Sequence, residues 1–428
     1  MNRTLKMKLR KISRKDFILL KDLCSASKDL YNQSLWEIRD HYKKTGKHLS
    51  YGEVDKLIKT IRNLEGEINY RKLKAGVSQQ ILRKLDESYK SFFRAVKDYK
   101  KNKHKYNSAP RPPKYIKEKY HNLIFDNQRF IIKEDKPLVA VLDKPKDLEI
   151  LIPKQLMDKV IVQIEIIPKY NYFEAAFIYK DFSDYKQISK NDNVIGIDLG
   201  LNNLATIASN GCIKPFIISG KPLKSVNQFY NKNLAKFKSR LDKEGENKWS
   251  NRLQRLTDIR NNKINDYLHK ASKIIVDECV KNKVSLVVVG NVTKSNNKIN
   301  LGKKTNQNFV NLPLGQFVDK LKYKLEVHNI TVKVVDESYT SKASFIDNDF
   351  LPDKYGSDVK YSFSGRRIKR GLYRTRDNVL INADLNGAFN IIRKVAPNFK
   401  FSDLDDRVAG WFLPYIKSVD TSMLVNID

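Results

Sequence analysis

The sequence predicts a chain of mixed architecture: an α/β domain in its C-terminal half, preceded by a small β-barrel that a block of helices interrupts. Three features of the 428 residues point there. Leu5, Met7 and Leu9 alternate with basic residues, and the pattern then gives way to helical spacing from Lys15 onward. Alternation returns between Leu123 and Lys180. Beyond Lys190, apolar runs such as VIGIDL and SLVVVG are separated by long amphipathic stretches. The expected domains are 1–14 with 115–188 (a discontinuous barrel), 15–114 (helical), 189–412 (α/β, with an insert at about 342–380) and 413–428 (a tail).

Within the helical block, Ile81, Leu82, Leu85, Tyr89, Phe92, Phe93 and Val96 mark the apolar stripe of one long helix, and three or four helices are expected in all. Pro110, Pro112 and Pro113 then forbid regular helix, so KNKHKYNSAPRPPKYIKEKY reads as an exposed basic loop. Its Arg111, Lys114 and Tyr115 are candidates for holding phosphates and stacking on bases. VIVQIEIIPKYNYFEAAFIYK reads as a hairpin turning at Lys169 to Asn171.

The α/β half begins with a strand bearing Asp198 between Ile197 and Leu199, continues with LATIAS and CIKPFIIS, and so forms a three-stranded meander. A long helical stretch leads to SLVVVG at 285–290, a helix is expected over Leu314 to Glu326, and TVKVVDESYTS forms a strand ending at Asp336 and Glu337. NADLNGAFNIIRK starts as a turn and becomes a helix with Asp384 in its first turn, where the helix dipole favours a carboxylate. This order of elements is that of an RNase H-like fold, with acids at strand ends and one helix N-terminus. Such acids repel one another unless hard divalent cations, Mg²⁺ or Mn²⁺, neutralise them. Two such ions about 4 Å apart suit phosphodiester hydrolysis.

Charge points the same way. Lys and Arg number 82 against 48 Asp and Glu, a net +34 spread along the chain, which implies a polyanionic partner and salt-dependent binding. Cys24, Cys212 and Cys279 are too scattered for a disulfide framework and suit a reducing compartment. The opening MNRTLKMKLRK is no signal peptide, and no run of about 18 apolar residues occurs, so a soluble, intracellular protein is expected. Oligomeric state is not legible; a monomer is the working expectation.

GIDLGLNNLATIAS, ESYTSKASF, FSGRRIKRGLYRTR and NADLNGAFNIIRK resemble the RuvC nuclease core of TnpB, the transposon-encoded RNA-guided endonuclease related to type V CRISPR effectors. DLYNQSLWEIR, VSQQILRKLDESYKSFFRAVKDY and PRPPKYIKEK resemble its recognition helices and the loop behind them, so the likeness covers nearly the whole chain. It implies a wedge barrel, a recognition domain and a RuvC domain, with a guide RNA and target double-stranded DNA as partners, and Mg²⁺ as cofactor. The first and last catalytic acids of the family match Asp198 and Asp384. The middle glutamate does not match, because Gly290 and Asn291 stand at its usual strand end. Two readings compete: a nuclease-inactive, RNA-guided DNA-binding repressor, or an active site in which Glu337 supplies the missing carboxylate, with Asp336 as its understudy. Neighbouring strands lie about 4.8 Å apart, an offset that a glutamate spans, and this favours Glu337.

The family's zinc knuckles are replaced by Ser344, Asp347, Arg374 and Asp377, so no zinc is expected. Phe345, Phe350, Tyr355, Tyr361, Phe363 and Tyr373 would hold the insert by packing. Arg366, Arg367, Lys369, Arg370, Arg374 and Arg376 would guide DNA toward the acids. His269 reads as a packing residue, since a metal mechanism supplies its own base. An actin-like ATPase is disfavoured by the charge and by the lack of a second glycine-rich phosphate loop.

Overall fold

A computed structural model describes the chain except for residues 11, 104–105, 107, 134–138, 143–147, 244, 246–248, 292–311, 353–360, 405–411 and 423–428. It divides into two compact units, Met1–Ser183 and Asp184–Asp428.

In the first unit, strand β1 (Asn2–Lys8) is followed by helices α1 (Arg14–Thr45), α2 (Tyr51–Ile58) and α3 (Ala75–Lys101). Ser13 caps α1 by accepting from the Asp16 amide at 3.0 Å, and Gly46 ends it at φ 70°, a left-handed conformation that suits glycine. In α3, Val77, Ile81, Leu82, Leu85 and Tyr89 are buried, whereas Phe93 is 41% exposed. Successive helical residues point about 100° apart, so Phe92 and Phe93 cannot both face the core. Phe93 rests on the His48 ring instead.

The strands expected to form a barrel fall into two sheets. β2 (Leu123–Asp126), β6 (Val160–Pro168) and β7 (Phe173–Lys180) join β1 in the order β1-β7-β6-β2, while β3 (Phe130–Lys133), β4 (Val139–Leu142) and β5 (Glu149–Leu151) form the second. β1 runs antiparallel to β7, with Leu5 opposite Phe177, so the helices are inserted between two paired strands. The β6–β7 hairpin turns where the Lys169 amide donates to the Tyr172 carbonyl.

The second unit is built on a six-stranded sheet. β8 (Val194–Leu199), β9 (Asn203–Ser209) and β10 (Phe216–Ser219) form the expected antiparallel meander. α4 (Lys221–Lys243) and α5 (Asn251–Lys281) lead to β11 (Leu286–Gly290), which runs parallel to β8. α6 (Leu314–Glu326) then leads to β12 (Thr331–Val335), parallel to β11, with Gly290 beside Val335. β16 (Tyr415–Lys417), in the segment read from sequence as a tail, adds a parallel strand beyond β10.

Ile195, Ile197 and Leu199 point to one face of β8 and pack with α5 and α6 residues such as Leu268, Ile275, Phe317 and Leu321. The other face receives α7 (Ala383–Arg393), which presses so closely that a Cβ at Gly196 would lie 2.2 Å from the Ala388 carbonyl oxygen. Between β12 and α7, strands β13 (Arg366–Lys369), β14 (Leu372–Arg374) and β15 (Leu380–Asn382) make a small antiparallel sheet. Among the described residues no helix is long and apolar enough to cross a membrane.

Candidate active site

Side chains alternate along β8, so burying Ile197 and Leu199 on one face turns Asp198 to the face covered by α7. Its partner across the β8–β9 ladder is Thr206, whose buried hydroxyl has no hydrogen-bond partner among the described residues. α7 leaves room for the acid at Gly387, where a Cβ would stand 2.9 Å from Asp198 Oδ2. Burial raises the Asp198 carboxyl well above the usual range, and the negative charges of Glu337 and Asp384 raise it further, while Arg367 partly offsets them.

Glu337 follows the end of β12. The Thr340 amide and hydroxyl both donate to its carbonyl, at 3.1 and 2.9 Å, and make a tight turn. Two buried asparagines of α7 hold the loop: Asn390 Nδ2 donates to the Thr340 and Ala343 carbonyls, and Asn386 Nδ2 donates to the Ala343 carbonyl at 2.8 Å. The carboxylate so positioned fills the space over Gly290. A Cβ there would lie 2.1 Å from Glu337 Oε1 and 2.7 Å from its Cγ and Cδ. Gly290, whose lack of a side chain was noted in the sequence, is thus the position that makes room for Glu337. Burial, with the Asp336 charge second, pushes Glu337 up to about 7, and its buried Oε1 has no hydrogen-bond partner among the described residues.

Asp384 lies in the first turn of α7, capped by Asn382, whose Oδ1 accepts from the Asp384 and Leu385 amides at 3.0 Å. Both of its carboxylate oxygens are engaged. Arg367 Nη2 donates to Oδ1 at 3.0 Å, and Asn203 Nδ2 donates to Oδ2 at 2.8 Å. Asp336 points elsewhere, accepting from the amide and hydroxyl of Ser338, which leaves Glu337 as the acid turned toward Asp198.

The donor set suits a hard divalent cation: carboxylate oxygens of three acids, one of them a buried, unpartnered Oε1 that a cation would satisfy. In this conformation, however, no group of three or more His, Cys, Asp or Glu side chains among the described residues is gathered as metal ligands. The expected Mg²⁺ set of Asp198, Glu337 and Asp384 is therefore a set of electrostatic neighbours rather than an assembled centre.

Of the basic run, Arg366, Lys369 and Arg370 are exposed, Arg374 is half-buried in register with Arg366, and Arg367 is spent on Asp384. In the first unit, Tyr115 carries the Arg39 guanidinium on its ring at 4.8 Å, and Asn32 pins Ile116 through both backbone groups. The loop expected to be exposed is thus anchored to α1. Lys114, Tyr115, Lys117, Glu118 and Arg39 line an open pocket of ≈ 450 Å³, and Arg111 is exposed beside them in the sequence.

At the positions of the absent thiolates, hydrogen bonds tie the insert. Asp347 accepts from the Arg376 amide at 3.0 Å and from the Ser364 hydroxyl, and Asp349 accepts from the Ser344 amide at 2.7 Å and from Ser364. Phe345 stacks on Phe389 at 4.5 Å, and Tyr373 is buried with its hydroxyl on the Lys342 carbonyl. Phe350, expected in the packing, is 72% exposed and meets the Tyr361 ring at 6.1 Å. Tyr361 and Phe363 pack on Tyr339, and Tyr355 lies outside the described residues. His269 shares a 3.0 Å hydrogen bond at Nε2 with Lys320, between α5 and α6. The sequence reading did not assign Asn203, Gly387, Asn386 or Asn390; all lie inside quoted motifs, and the available signal was polar or glycine residues at positions of apolar type.

Residues 177–296 match the family described as "Probable transposase" (OrfB_IS605), and residues 315–391 match the Cas12f1-like TNB domain. The matched segments relate the chain to transposase-associated, Cas12f-like proteins at low sequence identity. No curated protein matches it in sequence. Among solved structures, the Cas12f1–sgRNA–target DNA complex solved by cryo-EM is similar with a TM-score of 0.60 and 16% identity, over 89% of this chain and 83% of that one. A CRISPR–Cas12f ternary complex matches at TM-score 0.34 and 16% identity, over 88% and 81%. The first likeness shows a shared fold.

Proposed function

We propose that the chain is an RNA-guided DNA endonuclease that cleaves by metal-dependent phosphodiester hydrolysis, with Asp198, Glu337 and Asp384 as its acids. One observation carries the reading: the Glu337 carboxylate occupies the space over Gly290 and acts electrically on Asp198. A loop-borne acid held in the place of a missing strand-end side chain is the arrangement expected of a relocated catalytic group. Mg²⁺ or Mn²⁺ bound there would supply Lewis-acid stabilisation of the phosphate and an acidified water. Asp198 and Glu337, both costly to ionise when alone, would be ionised against such a cation, while Asn203 orients Asp384, and Asn386 and Asn390 keep the Glu337 loop from drifting.

Partners follow from the charge of +34 and from the shared fold: a guide RNA and double-stranded target DNA, with base pairing carrying most of the sequence information. The first unit, with its two sheets and inserted helices, would act as wedge and recognition domain, and Lys114 and Tyr115 would hold nucleic acid there. Arg366, Lys369, Arg370 and Arg374 would lead a DNA strand to the acids. A guided binder without cleavage is the second reading, favoured by Gly290 standing where the resemblance leads one to expect the middle glutamate. Sequencing the RNA that co-purifies with the chain supplies the guide. Guided cleavage by Glu337→Ala then discriminates: loss of cutting with target binding retained supports the endonuclease, and undiminished cutting removes Glu337 from the mechanism.

A further inference from the structure

Arg367 stands where a cation is wanted. Strand β13 brings its guanidinium to Asp384, and the same positive charge acts on Asp198. Asp384, with Arg367 on one oxygen and Asn203 on the other, has no oxygen without a partner. The contact is built for release. The ion pair is part-exposed, with side-chain accessibilities of 42% for Arg367 and 29% for Asp384, and pairs of that kind shift an equilibrium by roughly two- to fivefold at most. All of β13 is exposed, among the described residues it pairs with β14 alone, and the ladder slips register between Arg367 and Lys369. A strand so lightly held can move without disturbing the Phe345–Phe389 core beneath the insert.

We infer that Arg367 is a place-holding cation of the acid site: in the free chain it neutralises Asp384 and Asp198, and a divalent ion takes those oxygens as Arg367 withdraws. This rests on the reading of the acids as a metal site. It accounts for a set of acids that are electrostatic neighbours yet not gathered as ligands, and it leaves a guanidinium beside the site, free to meet a phosphodiester once an ion is in place. Coupling runs both ways, since whatever draws Arg367 outward, such as a nucleic-acid backbone on the insert, also favours metal entry.

The test is Mn²⁺ binding to the full-length chain without nucleic acid, followed by electron paramagnetic resonance and calorimetry. Arg367→Gln is expected to tighten Mn²⁺ binding roughly two- to fivefold over the unaltered chain. Arg366→Gln removes the same charge one residue away and is expected to leave affinity unchanged. If Arg367→Gln does not fold, Arg367→Met, which also removes the charge at similar side-chain length, is expected to tighten binding in the same direction. Equal affinities for Arg367→Gln and Arg366→Gln, or weaker binding by Arg367→Gln, overturn the inference while leaving the metal site standing. Absence of Mn²⁺ binding in every form, up to tens of millimolar, overturns the metal-site reading itself.

Discussion

Placing a methyl group at position 290 is the sharpest way to disturb Glu337 without touching it. Gly290 has an ordinary strand conformation, so Gly290→Ala introduces no backbone strain, and alanine costs a strand no more than glycine does. The new Cβ would lie 2.1 Å from Oε1 and 2.7 Å from Cγ and Cδ of Glu337. Ordinary contact begins near 3.4 Å, so the carboxylate must retreat by more than an ångström or swing out of the pocket. A displacement of about 1 Å at a catalytic group is enough to lose roughly a hundredfold in rate. The assay is single-turnover cleavage of guide-matched DNA at saturating Mg²⁺, with target affinity measured in parallel. We expect cleavage to fall about a hundredfold and affinity to stay within about twofold. Gly290→Glu with Glu337→Ala, which returns a carboxylate to the strand end, should recover part of the loss. Cutting by Gly290→Ala within about threefold of the unaltered chain would refute the assignment of Glu337, because no catalytic group tolerates that collision.

Further outcomes follow. Burial, and then the charges of Lys320 and Lys273, push Lys324 down to about 8 from 10.5, so the wild-type chain gains stability as pH rises from about 8 to 10.5 and is penalised below that. Lys324→Met should therefore be most favourable near pH 7, with its relative advantage falling by about 3 kcal/mol toward pH 10.5; calorimetric melting at the two pH values checks the sign. Asp349→Ala removes the acceptor of the Ser344 and Ser364 amides and should cost about 2 kcal/mol in thermal melting, whereas EDTA should leave the insert's melting unchanged, and about one bound zinc per chain by elemental analysis would contradict this. Tyr115→Ala should weaken RNA binding by about 1–3 kcal/mol, and Lys114→Ala should lower the salt slope of binding by about one, both read from filter binding across a salt series.

Much of the second unit was legible because its elements are buried on defined faces. Leu314, Phe317, Leu321 and Leu325 recur at helical spacing and are buried, and the helix runs over Leu314–Glu326 as the sequence predicts. LVVVG, flanked by strands on both sides, carries the unbroken apolar run of a central strand. Edge elements were less legible: β16 is three residues of mixed polarity, and nothing local distinguishes it from a tail. The acids themselves were readable from chain position, but their surroundings were not. That Gly290 and Gly387 are spaces for Glu337 and Asp198 is a fact about contacts between segments far apart in sequence. Arg367 read as one cation among six in a basic run, and its hydrogen bond to Asp384 is a contact between segments that nothing local in the sequence marks.

The most direct test is a structure of the chain with its guide RNA, target DNA and Mn²⁺, with the ions located by anomalous scattering. At least one ion is expected bonded to an oxygen of Glu337 as well as to Asp198 or Asp384, at about 2.0–2.2 Å. Ions on Asp198 and Asp384 with the Glu337 carboxylate more than about 4 Å from every one of them would contradict it.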